Sequence, residues 1–268
     1  MYDRGGTNRS ALLNVMCNAA IKASRRLVRD FGEVEQLQVS TKGPGDFVSA
    51  ADHKAEKTLY EELSRARPGY GFLMEESGRI QGQDDRFCWI IDPLDGTTNF
   101  LHGIPHFAIS IALEKEGELL AGVIYNPILD EMYAAEKGAG AFLNNRRLRV
   151  SGRHKLNEVV LSTGLANDPT EMAEIAKTLY RIRPQVASVR SFGATSLDLA
   201  YVAAGRLDGF WHTRFSPWDV AAGIVLVREA GGNVSEINGG KDILKNTSIL
   251  ASTQHLYPLI SKILTHQA

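Results

Sequence analysis

The chain is 268 residues long and 44% hydrophobic, with 30 basic against 31 acidic side chains and a net charge of −1. A chain of this length buries roughly 75% of its unfolded surface, so its core needs no disulfide or metal staple. The charge balance excludes a general pull toward nucleic acid or an anionic membrane. No run approaches the ~18 apolar residues of a membrane span, and the first residues, MYDRGGTNRS, lack the apolar stretch of a secretory signal. A cytoplasmic protein is expected, with Cys17 and Cys88 as free thiols because neither has a partner at metal-ligand spacing.

Residues 1–9 read as a frayed tail. Ser10 can cap a helix whose apolar positions Leu12, Val15, Met16, Ala19, Ala20, Ala23, Leu27 and Phe31 recur at threes and fours, and Gly32 closes it. Gln38 to Ala51, with Gly43, Pro44 and Gly45, reads as a loop or irregular hairpin. A second helix runs from about Asp52, its N-cap, to Arg67, before Pro68-Gly69. Then the texture changes to short apolar strands, 71–74 and 87–91, each leading into acidic residues. Strands follow at 106–114, 119–125, 131–135 and 141–143. Beyond 155 strand and helix alternate: strand 159–162, helix 170–182, strand 187–190, helix 194–204, strand 209–212, helix 217–230, strand 249–251 and a terminal helix. Gly205, Gly231 and Gly232 read as helix C-caps. There is no repeat or linker, so residues 1–268 form one α/β (α+β) unit with halves at roughly 10–145 and 155–268.

Chemistry concentrates in acidic elements. In Trp89-Ile-Ile-Asp92-Pro-Leu-Asp95-Gly-Thr97-Thr-Asn-Phe100 a buried strand delivers Asp92, Pro93 fixes the backbone, and Asp95-Gly96 turns into a helix start. Two carboxylates three residues apart at such a turn suit a hard cation, and the Gly96 and Thr97 amides suit a phosphate. Alone, Asp-x-x-Asp-Gly is more often a plain capped turn. Glu75-Glu76-Ser77 follows an apolar strand, where adjacent glutamates need solvent, a partner or a metal. Asp219 opens an apolar helix after Pro217-Trp218, a position the helix dipole favours with no catalytic duty. Asp46 and Asp52 flank a loop that begins at Lys42.

Taken in this order, the motifs Asp-Pro-Leu-Asp-Gly-Thr-Thr-Asn-Phe, Glu75-Glu76-Ser77 and Trp218-Asp219-Val-Ala-Ala-Gly resemble the inositol monophosphatase family over essentially the whole chain. The resemblance implies a layered α-β-α-β-α sandwich and lithium-sensitive hydrolysis of a small polyol or sugar phosphate, with two to three magnesium ions or manganese. By similarity Glu75, Asp92 and the Leu94 carbonyl hold a first metal with Thr97 nearby. Asp92, Asp95 and Asp219 hold a second. Glu75 with water holds a weaker third, over which the Lys42–Asp46 loop closes. Thr97, bonded to Asp52, orients and deprotonates the attacking water, and Glu76 supports Glu75. Gly193-Ala194-Thr195 lies beneath the substrate alongside Asp95 and Asp219. A homodimer is also implied.

One position departs from the pattern. Seven residues before Asp219, where the family carries a glutamate that accepts ring hydroxyls, stands His212. Imidazole cannot accept two hydroxyls as a carboxylate does. The expected substrate is myo-inositol 1-phosphate, with fructose 1,6-bisphosphate, 3′-phosphoadenosine 5′-phosphate or histidinol phosphate as alternatives. Asn144 to Lys155 carries Arg146, Arg147, Arg149, Arg153 and Lys155. Without interleaved aromatics it reads as a solvated hairpin, while a regulatory, RNA-associated scaffold is the competing class. The remaining histidines, His102 and His106 among them, show no metal spacing.

Overall fold

The computed structural model describes residues 9–33, 39–43 and 46–265, with side chains omitted over 39–43 and 46–49. Ser10 starts the first helix as its hydroxyl predicts, Oγ accepting the Leu13 amide at 3.1 Å. That helix, α1 (Ala11–Phe31), buries Leu13, Met16, Ala20, Ala23 and Leu27 on one stripe. The expected tail lies outside the described residues except Arg9, which is tied to the Asn144 carbonyl at 2.7 Å. Strands β1 (Val39–Gly43) and β2 (Asp46–Ser49) pair antiparallel, so the expected loop is a hairpin, and helix α2 (Ala50–Ala66) follows at once. Asp52 therefore sits inside the first turn of α2 and is not its N-cap; its side chain is buried and turned inward.

The first half continues as β3 (Tyr70–Met74), β4 (Gly78–Ile80), β5 (Asp84–Asp95), the short helix α3 (Thr97–Leu101), β6 (Ala108–Lys115), β7 (Glu118–Asn126), β8 (Glu131–Glu136), β9 (Gly140–Leu143) and β10 (Arg146–Arg147). These strands form one eight-stranded sheet in the order β10-β9-β8-β7-β6-β5-β3-β4, antiparallel except where β3 runs parallel to β5. The second half supplies β11 (Val160–Thr163), α4 (Pro169–Ile182), β12 (Ser188–Arg190), α5 (Thr195–Ala203), β13 (Gly209–Thr213), α6 (Pro217–Glu229), β14 (Asn233–Ser235), α7 (Ile243–Asn246), β15 (Ser248–Ser252) and α8 (Tyr257–Thr265). Its five strands are ordered β12-β11-β13-β15-β14.

Alternation along the strands builds the layers. On β5, Trp89 and Ile91 face α1 and α2, while Ile90 faces the other way into a core shared with α5 and α6. On β13, Phe210 joins that shared core and Trp211 packs into a third cluster with Ile182 of α4 and Ile260 and Leu264 of α8. The result is the expected α-β-α-β-α sandwich: α1 and α2, the large sheet, α5 and α6, the small sheet, then α4 and α8. β4, β10, β14 and α7 carry too few apolar residues to announce themselves in the sequence. Gly205 and Gly231 take the left-handed conformation after α5 and α6. Gly232 completes the cap of α6 without a positive φ: its amide donates to the Val227 carbonyl at 2.9 Å, as the second residue of a Schellman turn does, and a Cβ there would stand 2.6 Å from Val227 Cγ1.

The thiols are free, Cys17 buried and Cys88 half-buried. Burial pushes the Cys17 thiol up to about 11, away from reactive thiolate.

Helix α6 lies in the middle layer because two glycines let it in. A Cβ on Gly122 of β7 would come within 2.5 Å of the Ala222 carbonyl oxygen, and one on Gly223 within 2.4 Å of Leu199 Cβ on α5. The Ala-Ala-Gly run after Asp219 is thus a backbone-to-backbone contact surface. Replacing Gly122 with Ala is expected to cost ~1–3 kcal/mol by overpacking, read as a melting-temperature drop of roughly 2–4 °C per kcal/mol. An unchanged melting temperature would show that α6 is not held at this distance.

Candidate active site

Two parallel neighbours in the large sheet bring the acidic motifs together. β3 and β5 run side by side with Met74 opposite Ile91, so both strands end at the same edge. Glu75 follows β3 directly, its amide donating to the Ile91 carbonyl at 3.3 Å, beside Asp92. Glu75, Glu76 and Ser77 form the turn between β3 and β4, and Gly78 closes it with φ +71°, the left-handed residue that three-residue hairpin loops use. On the other flank, Asp92 pairs with Ser110 of β6, and the Ser110 hydroxyl donates to the Trp218 carbonyl at 3.2 Å. That bond docks the start of α6 and brings Asp219 to the same place.

The register of β5 and β6 slips between Asp92 and Asp95. Pro93, with no N–H to give a ladder, falls inside that irregularity. The bulge lets Asp92 and Asp95 both face inward. Asp92 Oδ1 accepts the Leu94 amide at 2.9 Å. Asp95 Oδ2 accepts the Ser196 amide at 2.7 Å and the Ser196 hydroxyl at 2.5 Å, at the first turn of α5. Thr97 Oγ1 donates to Asp52 Oδ1 at 3.2 Å and to the Leu94 carbonyl at 3.0 Å. Asp219 Oδ2 accepts the Ser216 amide at 2.8 Å, so the helix-bracing role open to this residue is real and uses one of its two oxygens.

The electrostatics record the crowding. Burial raises the Asp92 carboxyl well above the usual range, and the negative charges of Glu75, Asp95 and Asp219 raise it further. Asp95 is pushed up to about 6 by burial, although the Ser196 hydroxyl and the amides of residues 195–197 pull it down. Among the described residues no three such side chains already surround one point as metal ligands. Instead the Glu75 carboxylate stands close enough to Asp92 to raise its proton affinity. The donor set is all oxygen, which fits a hard divalent cation and no soft one.

The substrate-side residues are also adjacent. A Cβ on Gly96 would lie 3.3 Å from Ala194 Cβ, so the Asp95-Gly96 turn packs on the Gly193-Ala194-Thr195 segment that opens α5. Gly193 has φ +77° and lies against the Asn99 side chain. His212 is on the Phe210 face of β13, toward α5 and α6. Its ring occupies the space above Gly164, where a Cβ would stand 2.2 Å from Nε2. Burial lowers its pKa to about 4, keeping it neutral, and Nδ1 has no partner among the described residues. Lys42 lies on β1 and Asp46 on β2, but their side chains fall outside the described part.

Four supporting residues were not singled out from the sequence. Asn99 Nδ2 donates to the carbonyls of His106 and Phe192, both at 2.8 Å, stitching α3 to the substrate-side loop. Ser196 anchors Asp95. Glu56, buried on α2, receives the Glu76 amide at 2.9 Å. Asp198, 2% exposed, is raised well above the usual carboxyl range by burial and then by Asp95. Asp52 and Glu56 stand four apart on α2, and that spacing, which puts two acids on one face of an otherwise apolar helix stripe, is the signal that could have found Glu56.

Comparison with known proteins agrees with this geometry. The sequence pattern of the inositol monophosphatase family matches residues 8–267. A Mesorhizobium japonicum protein named inositol-1-monophosphatase is 59% identical over 247 residues, 92% of this chain and 93% of its own. The Escherichia coli protein named Nus factor SuhB is 40% identical over 244 residues, 90% of either chain. The crystal structure of the extragenic suppressor protein suhB from Bartonella henselae superposes with a TM-score of 0.94 at 54% identity, covering 97% of this chain and 100% of that one. With its acidic motifs at one sheet edge and a match along nearly its whole length, the chain belongs to the inositol monophosphatase family.

Proposed function

We propose that the protein is a phosphatase that hydrolyses myo-inositol 1-phosphate to inositol and phosphate. The observation that carries this reading is the convergence of Glu75, Asp92, Asp95 and Asp219 beside a Thr97–Asp52 hydrogen bond. The names of the relatives from Mesorhizobium, Rhizobium and Caulobacter support the substrate. Magnesium, two or three ions, or manganese in its place, would be held by Glu75, Asp92, Asp95, Asp219 and the Leu94 carbonyl, and would polarise the phosphoryl oxygen and acidify water.

The chain's own groups do the rest. Thr97 Oγ1 already points its proton at Asp52 and Leu94, so its lone pairs are free to orient a water for attack. Asp52 is then the acceptor toward which the proton moves. The Gly96 and Thr97 amides at the start of α3 hold phosphate oxygens. Asp95, Asp219 and the Gly193-Ala194-Thr195 turn receive the polyol, while His212, neutral and with its Nδ1 buried, supplies no carboxylate to accept two hydroxyls. The protein works as a cytoplasmic homodimer and is inhibited by lithium.

His212 also favours a second substrate reading, the same chemistry on fructose 1,6-bisphosphate, 3′-phosphoadenosine 5′-phosphate or histidinol phosphate. A regulatory scaffold, in the sense of the relatives named Nus factor SuhB, has weaker support here. Arg153 is paired at 3.0 Å with fully buried Asp208, and Arg147 lies over Gly140, so part of the basic segment serves the fold. RNA binding that persists in Asp95→Asn would establish that role, and none at low salt would remove it.

Two outcomes test the enzymatic reading. Asp92→Asn is expected to abolish magnesium-dependent phosphate release while raising the melting temperature of the metal-free protein at neutral pH. The sign follows from linkage: a carboxyl whose folded pKa is raised costs stability above that pKa, and the cost disappears as pH falls through it toward the unfolded value. Each kcal/mol relieved is worth about 2–4 °C. Phosphate release that survives the substitution refutes the site. In a panel of phosphate esters, His212→Glu is expected to improve kcat/KM for inositol phosphate by roughly 5–100-fold, the worth of one or two hydrogen bonds to a charged acceptor; no change removes His212 from substrate recognition.

A further inference from the structure

We propose that Glu56 is a positioning residue that sets the cation affinity of the site by bracing the Glu75 turn from beneath. The proposal rests on the phosphatase reading above.

Asp52 and Glu56 are four residues apart on α2 and so share a face. Both are buried, at 0% and 3% exposure. Asp52 reaches the turn after β5 through Thr97. Glu56 reaches the turn after β3: Oε2 accepts the Glu76 amide at 2.9 Å, and Oε1 accepts the Ser77 hydroxyl. One helix face thus ties together the turn that carries Glu75 and the turn that follows Asp95.

A carboxylate on a stripe otherwise made of Ala51, Ala55, Leu59 and Leu63 is costly to bury without such donors. Its two oxygens are each committed to one donor of the turn. Glu56 is therefore a brace and not a ligand. A Cβ added at Gly78 would meet nothing within 4 Å, and on the β5 side the Glu75 amide donates to the Ile91 carbonyl at 3.3 Å. A charge-assisted bond to the amide next to Glu75 is the strongest constraint on where its side chain starts. In a cluster of mutually repelling carboxylates, that constraint holds Glu75 in place against the push of Asp92. Without it Glu75 swings outward, and a cation must gather the ligand as well as bind it.

The test compares wild type, Glu56→Gln and Ser77→Ala, with magnesium itself as the probe. For each protein the magnesium-induced rise in melting temperature and the magnesium midpoint of phosphate release are measured. Glutamine keeps the shape of Glu56 but sets an NH2 donor against one of the two donors of the turn. Glu56→Gln is expected to raise the magnesium midpoint about 10–100-fold, the usual effect of removing a group that orients a ligand, and to lose most of the magnesium-induced stabilisation. Raising magnesium should restore most of its kcat. Ser77→Ala should raise the midpoint roughly 3-fold, the size of one hydrogen bond.

A merely structural Glu56 would lower the metal-free melting temperature and leave both magnesium readings at wild-type values, which overturns the proposal. Should Glu56→Gln fail to fold, the soluble Ser77→Ala protein decides alone, and an unshifted midpoint there is equally fatal. Failure of the phosphatase reading is distinct, because wild type itself would then show neither stabilisation by magnesium nor phosphate release.

Discussion

Everything in this molecule is arranged around the repulsion of buried carboxylates. Asp92 sits in the interior with Glu75, Asp95 and Asp219 close enough to raise its proton affinity. Folding alone would never choose this, since apolar side chains in those positions would be cheaper to bury. The cluster survives because each member is held by something stronger: the backbones of Glu75 and Asp92 by adjacent parallel strands, the carboxylate of Asp95 by the first turn of α5, and that of Asp219 by the Ser216 amide at the start of α6. Strain at a functional site is supported by well-packed surroundings.

Helix starts carry two of these anchors. Asp95 comes from the large sheet, yet it is held by amides of α5, which belongs to the second half of the chain. Asp219 comes from the second half and is docked by Ser110 of the first. Neither half owns the site. The middle helical layer is what couples them, and its closeness to the large sheet depends on the missing side chain at Gly122.

Much of this was legible in the sequence. Long periodic helices such as α1 and α4, and the apolar strands ending in acids, declared both their type and their place. The acidic motifs were recognisable because Asp-Pro-Leu-Asp-Gly-Thr-Thr and Trp-Asp-Val-Ala-Ala-Gly combine turn chemistry with carboxylates. What escaped was whatever depended on neighbours distant in the chain. β4 has only three residues and exists because β3 offers an edge. By position alone Asp52 reads as a cap; its bond to Thr97 was expected from the family resemblance and is present. Glu56, Ser196 and Asp198 look like ordinary polar positions on helices, and only packing reveals which face is buried. His212 was visible as a departure, whereas its accommodation by Gly164 needed the fold.

The placement of α5 and α6 between the sheets has a consequence for biosynthesis. The last strand of the large sheet ends at Arg147, but the inner face of that sheet, with Ile90, Ala112, Ile124 and Tyr133, is covered by helices ending at Glu229. Translation at ~5–20 residues per second leaves that apolar face without its cover for several seconds on the ribosome. The nascent first half is a sticky intermediate during that interval, a natural client for chaperones, and it becomes a finished protein only when the last third of the chain has emerged.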